Sequence, residues 1–196
     1  MAAQAAAASA NKVKIGEEAF MRMEKVNSEL LALTYGSLVV QLLRDLGSAD
    51  AVNAQLDRMG YNIGIRIVEE FLARSGVGNR KCRDLAETAE TIARVAFKMF
   101  LNTPAQVGPN FLPDKREFSI VFSENPLAQF VELPDSCAQL HFSNILCGVI
   151  RGALEMLQMR VECRFVRDTL HGDSENEIRV VLKEVLEEER PPDDDE

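Results

Sequence analysis

The 196-residue chain is long enough for one domain with tails, and its hydrophobic content of 46% is ordinary for a globular protein. Its net charge of −9 is concentrated in residues 184–196, which argues against nucleic-acid binding. The sequence has no apolar stretch long enough to span a membrane and no signal or transit peptide pattern, so we expect a cytoplasmic protein.

Three segments are expected along the chain. Residues 1–24 are Ala-rich and of low complexity, which predicts a disordered N-terminal extension. Residues 25–183 carry the periodic apolar pattern of one folded domain. Residues 184–196 form an acidic tail, in which the Pro191-Pro192 pair prevents regular structure from continuing.

The first two helices of the folded domain are predicted by apolar residues at three- and four-residue spacing. The first helix begins at an N-cap, for which Asn27 and Ser28 both qualify, and ends at Gly47. The second helix opens at Asp50 and ends near Gly76. Helices this rich in apolar residues have more hydrophobic surface than one domain covers.

A third helix is predicted between a capping box, formed by Asp84 and Glu87, and a stop before Pro104. Small and aromatic side chains recur along it at helical spacing. Such small residues either admit a closely packed helix or line a cavity, and close packing is the usual outcome. The small residues are Ala89, Ala93 and Ala96, and the aromatic residue beside them is Phe100.

The second half of the chain predicts strands. Alternating apolar residues indicate a half-buried strand at residues 118–122 and a shorter one at residues 130–133. After a fourth helix capped by Ser143, alternation on both sides of the Gly172-Asp173 turn predicts a hairpin. The order of three helices, a strand pair, a helix and a hairpin predicts an α+β fold.

Two pairs of glycines occur at four-residue spacing in the predicted helices. They are Gly60 with Gly64 and Gly148 with Gly152. In a soluble protein this spacing is weak evidence, and tight helix packing inside the domain is its expected use.

Cys82 is the residue whose surroundings in the sequence most favour chemical reactivity. It lies two residues before Asp84 and is flanked by Arg80, Lys81 and Arg83. A helix N-terminus and nearby cations both stabilise the reactive thiolate. The local sequence leaves two interpretations open, a reactive cysteine or a free loop cysteine among solvated charges.

The remaining titratable residues predict neither a metal site nor a thiol enzyme. A catalytic pair would need His141 or His171 beside Cys82, and nothing in the sequence places either one there. We expect His141 to be half-buried with its hydrogen bonds satisfied, and His171 to be solvated in a turn. The four cysteines show no metal-binding spacing, so reduced thiols are expected.

Consecutive motifs resemble the small subunits of the TRAPP vesicle-tethering complex, and within that family the acylated Bet-three group. Their order and spacing are similar to the family's from about residue 28 to 182, whereas residues 102–116 and both termini depart from it. The motifs occupy residues 33–39, 57–64, 71–75, 93–99, 130–134, 147–156 and 168–170.

This resemblance implies helices flanking a twisted antiparallel sheet and a buried apolar channel that holds a palmitoyl chain. By motif position the acylated residue is Cys82, and Ala96 faces the channel. Acylation then becomes the favoured interpretation of Cys82. The cavity interpretation of Ala89, Ala93 and Phe100 gains with it.

The resemblance also implies a non-enzymatic subunit that pairs with related small subunits through its helical face. Val40, Leu43 and Ile65 remain outside the main apolar stripes and are predicted to form that interface. The assembled complex would tether vesicles at cis-Golgi and ER–Golgi membranes and promote nucleotide exchange on a Rab GTPase. The alternative is a sensor of small hydrophobic ligands that uses the same cavity, and the acidic tail is either solubilising or in contact with the GTPase.

Overall fold

The computed structural model describes residues 2–77, 82, 84–109 and 116–186, with side chains from Ala7 onwards. The helical part consists of α1 (Ala2–Arg22), α2 (Ser28–Leu46), α3 (Ala49–Arg74), α4 (Leu85–Thr91), a π-helical turn (Ile92–Ala96), α5 (Phe97–Leu101) and α6 (Ile145–Glu155). The strands are β1 (Ala105–Val107), β2 (Glu117–Phe122), β3 (Met159–Arg167) and β4 (Asn176–Val185).

The four strands form one antiparallel sheet in the order β1-β2-β4-β3. The hairpin predicted around Gly172 is therefore present as β3 and β4. Helix α6 contacts both β3 and α3, and α4 contacts β1 and β2. The predicted α+β class is confirmed. Within the described residues, no helix combines the length and the apolar content that a bilayer crossing requires.

Local sequence signals position both ends of α2 and the start of α4 as predicted. The Asn27 side chain accepts a hydrogen bond from the Leu30 backbone N–H at 2.9 Å, and Asp84 accepts one from Glu87 N–H at 2.8 Å. Gly47 has φ of +69°, the left-handed conformation that favours glycine at a helix end. The α3 N-cap is Ser48, two residues before the predicted Asp50.

The N-terminal segment differs from the expected disordered extension because most of it forms α1. Ala-rich sequences have high helix propensity, and small residues let this helix lie close to the segment that follows α4. Ala19 is fully buried, and a Cβ at Gly16 would meet the Arg94 carbonyl oxygen at 2.5 Å. Lys12 Nζ donates a hydrogen bond to Thr91 Oγ1 at 2.9 Å.

The strand predicted at residues 130–133 does not form. Strand β2 pairs with β1 instead, with Ala105 opposite Phe122. Asn125 explains the difference. Its side-chain oxygen accepts from the Leu127 N–H at 3.2 Å, which turns the chain before residue 130. Its amide nitrogen donates to Ser143 Oγ at 2.8 Å, so Ser143 makes this contact and α6 begins at Ile145 without a side-chain cap.

Helices α3 and α6 cross with their backbones in close contact. A Cβ at Gly60 would overlap the Ile145 carbonyl oxygen, and a Cβ at Gly148 would overlap the Asp57 carbonyl oxygen. Gly64 and Gly152 make equally close approaches one turn further along. The glycine pairs therefore serve packing within the domain, as predicted.

An ion pair closes the side of this crossing. The Arg151 guanidinium donates to the Asp57 carboxylate, and its carbon lies 4.5 Å from the centroid of the Tyr61 ring. Charge pairing and the cation–π contact thus join α6 to α3 beside the glycines.

Candidate functional site

An apolar cavity of about 630 Å³ lies between the helices. Its walls come from α2, α3, α6 and the continuous segment that runs from α4 through the π-helical turn into α5. A volume of this size falls within the roughly 300–1,000 Å³ range of pockets that hold small organic ligands. Among the described residues, the lining is almost entirely apolar, which suits a hydrocarbon ligand.

Cys82 lies at the wall of this cavity and is half-buried. Its Sγ is 3.7 Å from Thr91 Oγ1, which receives a hydrogen bond from Lys12 and donates one to the Glu87 carbonyl oxygen at 2.7 Å. The hydroxyl proton of Thr91 is thus committed to Glu87, and Thr91 accepts from the thiol. This contact holds the sulfur at the apolar space. The flanking Arg80, Lys81 and Arg83 lie outside the described residues.

The predicted channel residues separate into two groups. Ala96 and Phe100 line the cavity, whereas Ala89 and Ala93 are not among its described lining residues and lie fully buried in the hydrophobic core. The π-helical turn accounts for the split. The Phe97 N–H bonds to the Ile92 carbonyl five residues earlier, so successive side chains advance by a smaller angle and the helix face rotates.

The cavity also has walls outside the third predicted helix, which holds all of the lining residues predicted from the sequence. Ile63, Ile67 and Phe71 from α3 and Val149 and Ala153 from α6 contribute to it. Their four-residue spacing is visible in the sequence, but periodicity alone does not distinguish a helix face on a cavity from a helix face on the core.

The other cysteines lie in different surroundings. Cys147 is fully buried in α6, and Cys163 lies half-buried on β3. Burial raises the pKa of both thiols above the usual range, which keeps them protonated and unreactive. Cys137, in the loop before α6, is half-buried.

The predicted interface residues lie on α2 and α3. Val40 is 46% exposed, while Leu43 and Ile65 are half-buried. Leu30 and Leu33 are 65% and 60% exposed and share the Val40 face of α2. The spacing of three and seven residues between Leu30, Leu33 and Val40 is the sequence pattern that indicates this shared face.

The two histidines lie next to one another, 5.6 Å apart between ring centroids. Burial lowers the pKa of His141, and His171 lowers it further. Both rings adjoin Asp168, at the end of β3. Cys82 contacts Thr91 instead, so the histidines and this thiol belong to separate clusters.

The profile of the Transport protein particle (TRAPP) component family matches residues 31–181. The Dictyostelium discoideum trafficking protein particle complex subunit 3 is 55% identical over 179 residues, which cover 91% of this chain and 95% of that protein. The Schizosaccharomyces pombe transport protein particle subunit bet3 is 52% identical over 186 residues, which cover 94% of this chain and 100% of that protein.

Solved structures show the same relationship. The chain resembles the trafficking protein particle complex subunit 3 of Naegleria fowleri, covalently bound to palmitic acid, with 56% identity and a TM-score of 0.80. The match covers 84% of this chain and 100% of that one. The phenol-responsive sensory domain of the transcription activator PoxR, at 14% identity and a TM-score of 0.52 over 82% of this chain and 76% of its own, shares the fold. By its sequence and its structure, this chain belongs to the TRAPP component family.

Proposed function

We propose that this chain is a structural core subunit of the TRAPP vesicle-tethering complex and carries a palmitoyl chain on Cys82. The observation that carries this proposal is that Cys82 lies at a cavity whose described walls are almost entirely hydrocarbon. An acyl chain inside it would remove its methylenes from water, at about 0.8 kcal/mol for each CH₂ buried.

The Naegleria fowleri relative supports this assignment because its structure holds covalent palmitic acid at 56% identity to this chain. Attachment forms a thioester between Sγ and the acyl carbonyl carbon and releases the thiol of an acyl-thioester donor. The Cys82 thiol contacts Thr91 at the cavity wall. An acyl chain attached to the sulfur would therefore have a direct path into the apolar space.

The subunit acts by assembly rather than by catalysis. Related TRAPP small subunits pair with it through the exposed apolar face of α2, and the complex promotes nucleotide exchange on a Rab GTPase. Its place is peripheral, at cis-Golgi and ER–Golgi membranes, in ER-to-Golgi transport. The complex-subunit names of its relatives support this assignment.

Intact mass under denaturing conditions tests the acylation. Full-length protein from eukaryotic cells should carry the mass of one palmitoyl group, and Cys82→Ser should lack it. Cys137→Ser is the matched control and should keep the lipid, since Cys137 is not among the described residues that line the cavity. Lipid on Cys137, Cys147 or Cys163 would contradict the assignment.

The same measurement separates the subunit from the ligand-sensor alternative. A sensor would hold its hydrophobic ligand without a covalent bond, so denaturation would release it and leave Cys82 unmodified. Pull-down with related small subunits provides the second test, because a sensor has no need of that pairing.

A further inference from the structure

His141, Asp168 and His171 converge from two separate loops. His141 lies in the loop before α6, and the other two lie at the turn that follows β3. We propose that these three side chains form a binding site for a divalent transition-metal ion of the Zn²⁺ type.

The ligand atoms lie close to the required geometry. One donor atom from each of the three residues lies within 4.8 Å of the other two. Tetrahedral zinc with bonds of about 2.1 Å separates its ligands by roughly 3.4 Å. The site therefore closes with side-chain shifts on the order of 1 Å, which the surface position of His171 permits.

Two buried ligand atoms in the cluster have no hydrogen-bond partner among the described residues. Asp168 is only 3% exposed, and its Oδ1 accepts from the Leu170 N–H at 3.0 Å. Its Oδ2 accepts no hydrogen bond from the described residues and has His171 Nδ1 near it, at 3.5 Å. Nδ1 of His141 is likewise buried and unpartnered. An unpaired buried polar atom is costly, and a bound cation would satisfy both atoms together.

The surrounding structure holds the ligands in place. The His141 backbone N–H donates to Asn53 Oδ1 at 2.9 Å, and the His141 ring stacks on Phe165 with 6.4 Å between centroids. The Asp168 backbone N–H donates to Asp173 Oδ2 at 2.7 Å. Metal sites depend on such supporting contacts to orient their ligands.

The donor set selects the kind of ion. Two imidazole nitrogens and one carboxylate oxygen suit zinc and neighbouring transition metals, whereas Ca²⁺ and Mg²⁺ prefer all-oxygen sites. Three protein ligands leave a fourth position for water. Bound metal would join the loop before α6 to the β3–β4 connection.

The chain offers a direct test because His141 and His171 are its only two histidines. Full-length protein without a purification tag is titrated with Zn²⁺, and imidazole signals are followed by NMR. Both sets of ring signals should shift together and saturate at one ion per chain. Zinc that binds without shifting either ring, or no binding at all, would overturn the proposal.

Variants separate this site from the cysteines. His141→Gln and His171→Gln should each weaken zinc binding at least tenfold by calorimetry, and Cys137→Ser should leave it unchanged. Asp168→Asn keeps an oxygen to accept from Leu170 and should also weaken binding. Thermal unfolding of each variant without metal establishes that it folds, and wild-type affinity in either folded histidine variant would contradict the site.

Discussion

Cys82 Sγ and Thr91 Oγ1 lie 3.7 Å apart, and Thr91 is held from the other side by Lys12 of α1. Helix α1, which lies before the family-matched residues 31–181, thus contacts the threonine that accepts from the cavity cysteine. The thiol, Thr91, Ile92 and Ala96 line the same space, so these residues provide the wall beside an acyl chain attached to the thiol.

Ala96→Leu should reduce acylation because it places a larger side chain in the cavity. The fold should survive with a loss of about 1–3 kcal/mol from overpacking. Intact mass gives the acylated fraction, and thermal unfolding gives the stability. Ala73→Leu, at an exposed position on α3, is the control and should acylate normally. Full acylation of Ala96→Leu would place the acyl chain elsewhere.

Val40→Glu should abolish pairing with related small subunits while the monomer remains folded. Val40 is 46% exposed, so its replacement should change stability by less than about 0.5 kcal/mol, whereas a buried interfacial charge strongly opposes association. Sedimentation of the mixed subunits measures pairing. Gln41→Glu adds the same charge next to it on another face and should still pair; equal behaviour of the two variants would contradict the interface.

Gly148→Ala should destabilise the domain by at least about 2 kcal/mol, since its Cβ would overlap the Asp57 backbone carbonyl. Gly36→Ala is the matched control in α2, where a Cβ meets nothing within 4 Å. There alanine should add about 0.5–1 kcal/mol through helix propensity. Denaturant unfolding compares the two, and a neutral Gly148→Ala would show that α3 and α6 are able to move apart.

Glu177→Gln should cost stability at neutral pH and much less at acid pH. Burial alone raises the pKa of Glu177, but hydrogen bonds from Ser119, Arg167 and Arg179 outweigh it and lower the pKa. A lowered folded-state pKa means that the carboxylate stabilises the fold above its unfolded pKa of about 4.3. That contribution is lost as the pH falls through the folded-state value.

Thermal unfolding of the wild type and Glu177→Gln at pH 7 and pH 3 measures this effect. The difference between the two proteins should shrink at the lower pH. Glu184→Gln, which removes an exposed ion pair with Arg160, should change stability little at either pH. A penalty for Glu177→Gln that is as large at pH 3 would contradict the charge-based explanation.

Deletion of residues 187–196 should leave the melting temperature and the acylated mass unchanged, because it removes no apolar residue after β4. Nucleotide exchange by the reconstituted complex then decides the role of the acidic tail. Exchange slowed several-fold would show that the acidic residues act at the phosphate-binding pocket of the GTPase. An unchanged rate would leave only a solubilising role, and a lowered melting temperature would contradict the assigned domain boundary.

Local sequence determines some parts of this fold and leaves others open. Asn27 and Gly47 bound α2 through contacts within a few residues, so the sequence predicts both ends correctly. The separation of Ala93 from Ala96 depends on a π-helical turn. A prediction from apolar periodicity uses regular α-helical spacing and so misses such a turn. The convergence of His141 and His171 depends on tertiary packing of two loops, so nothing near either residue indicates it.

Strand β3 lies at an edge of the sheet, which bears on the tendency of the free subunit to aggregate. An edge strand offers unpaired backbone groups to strands of other molecules, which invites aggregation. Arg160, Glu162 and Arg164 place exposed charges along this strand, and the first two pair with Glu184 and Lys183 on β4. Another copy could add a strand here only by crowding these charges, which disfavours edge-to-edge association of the free subunit.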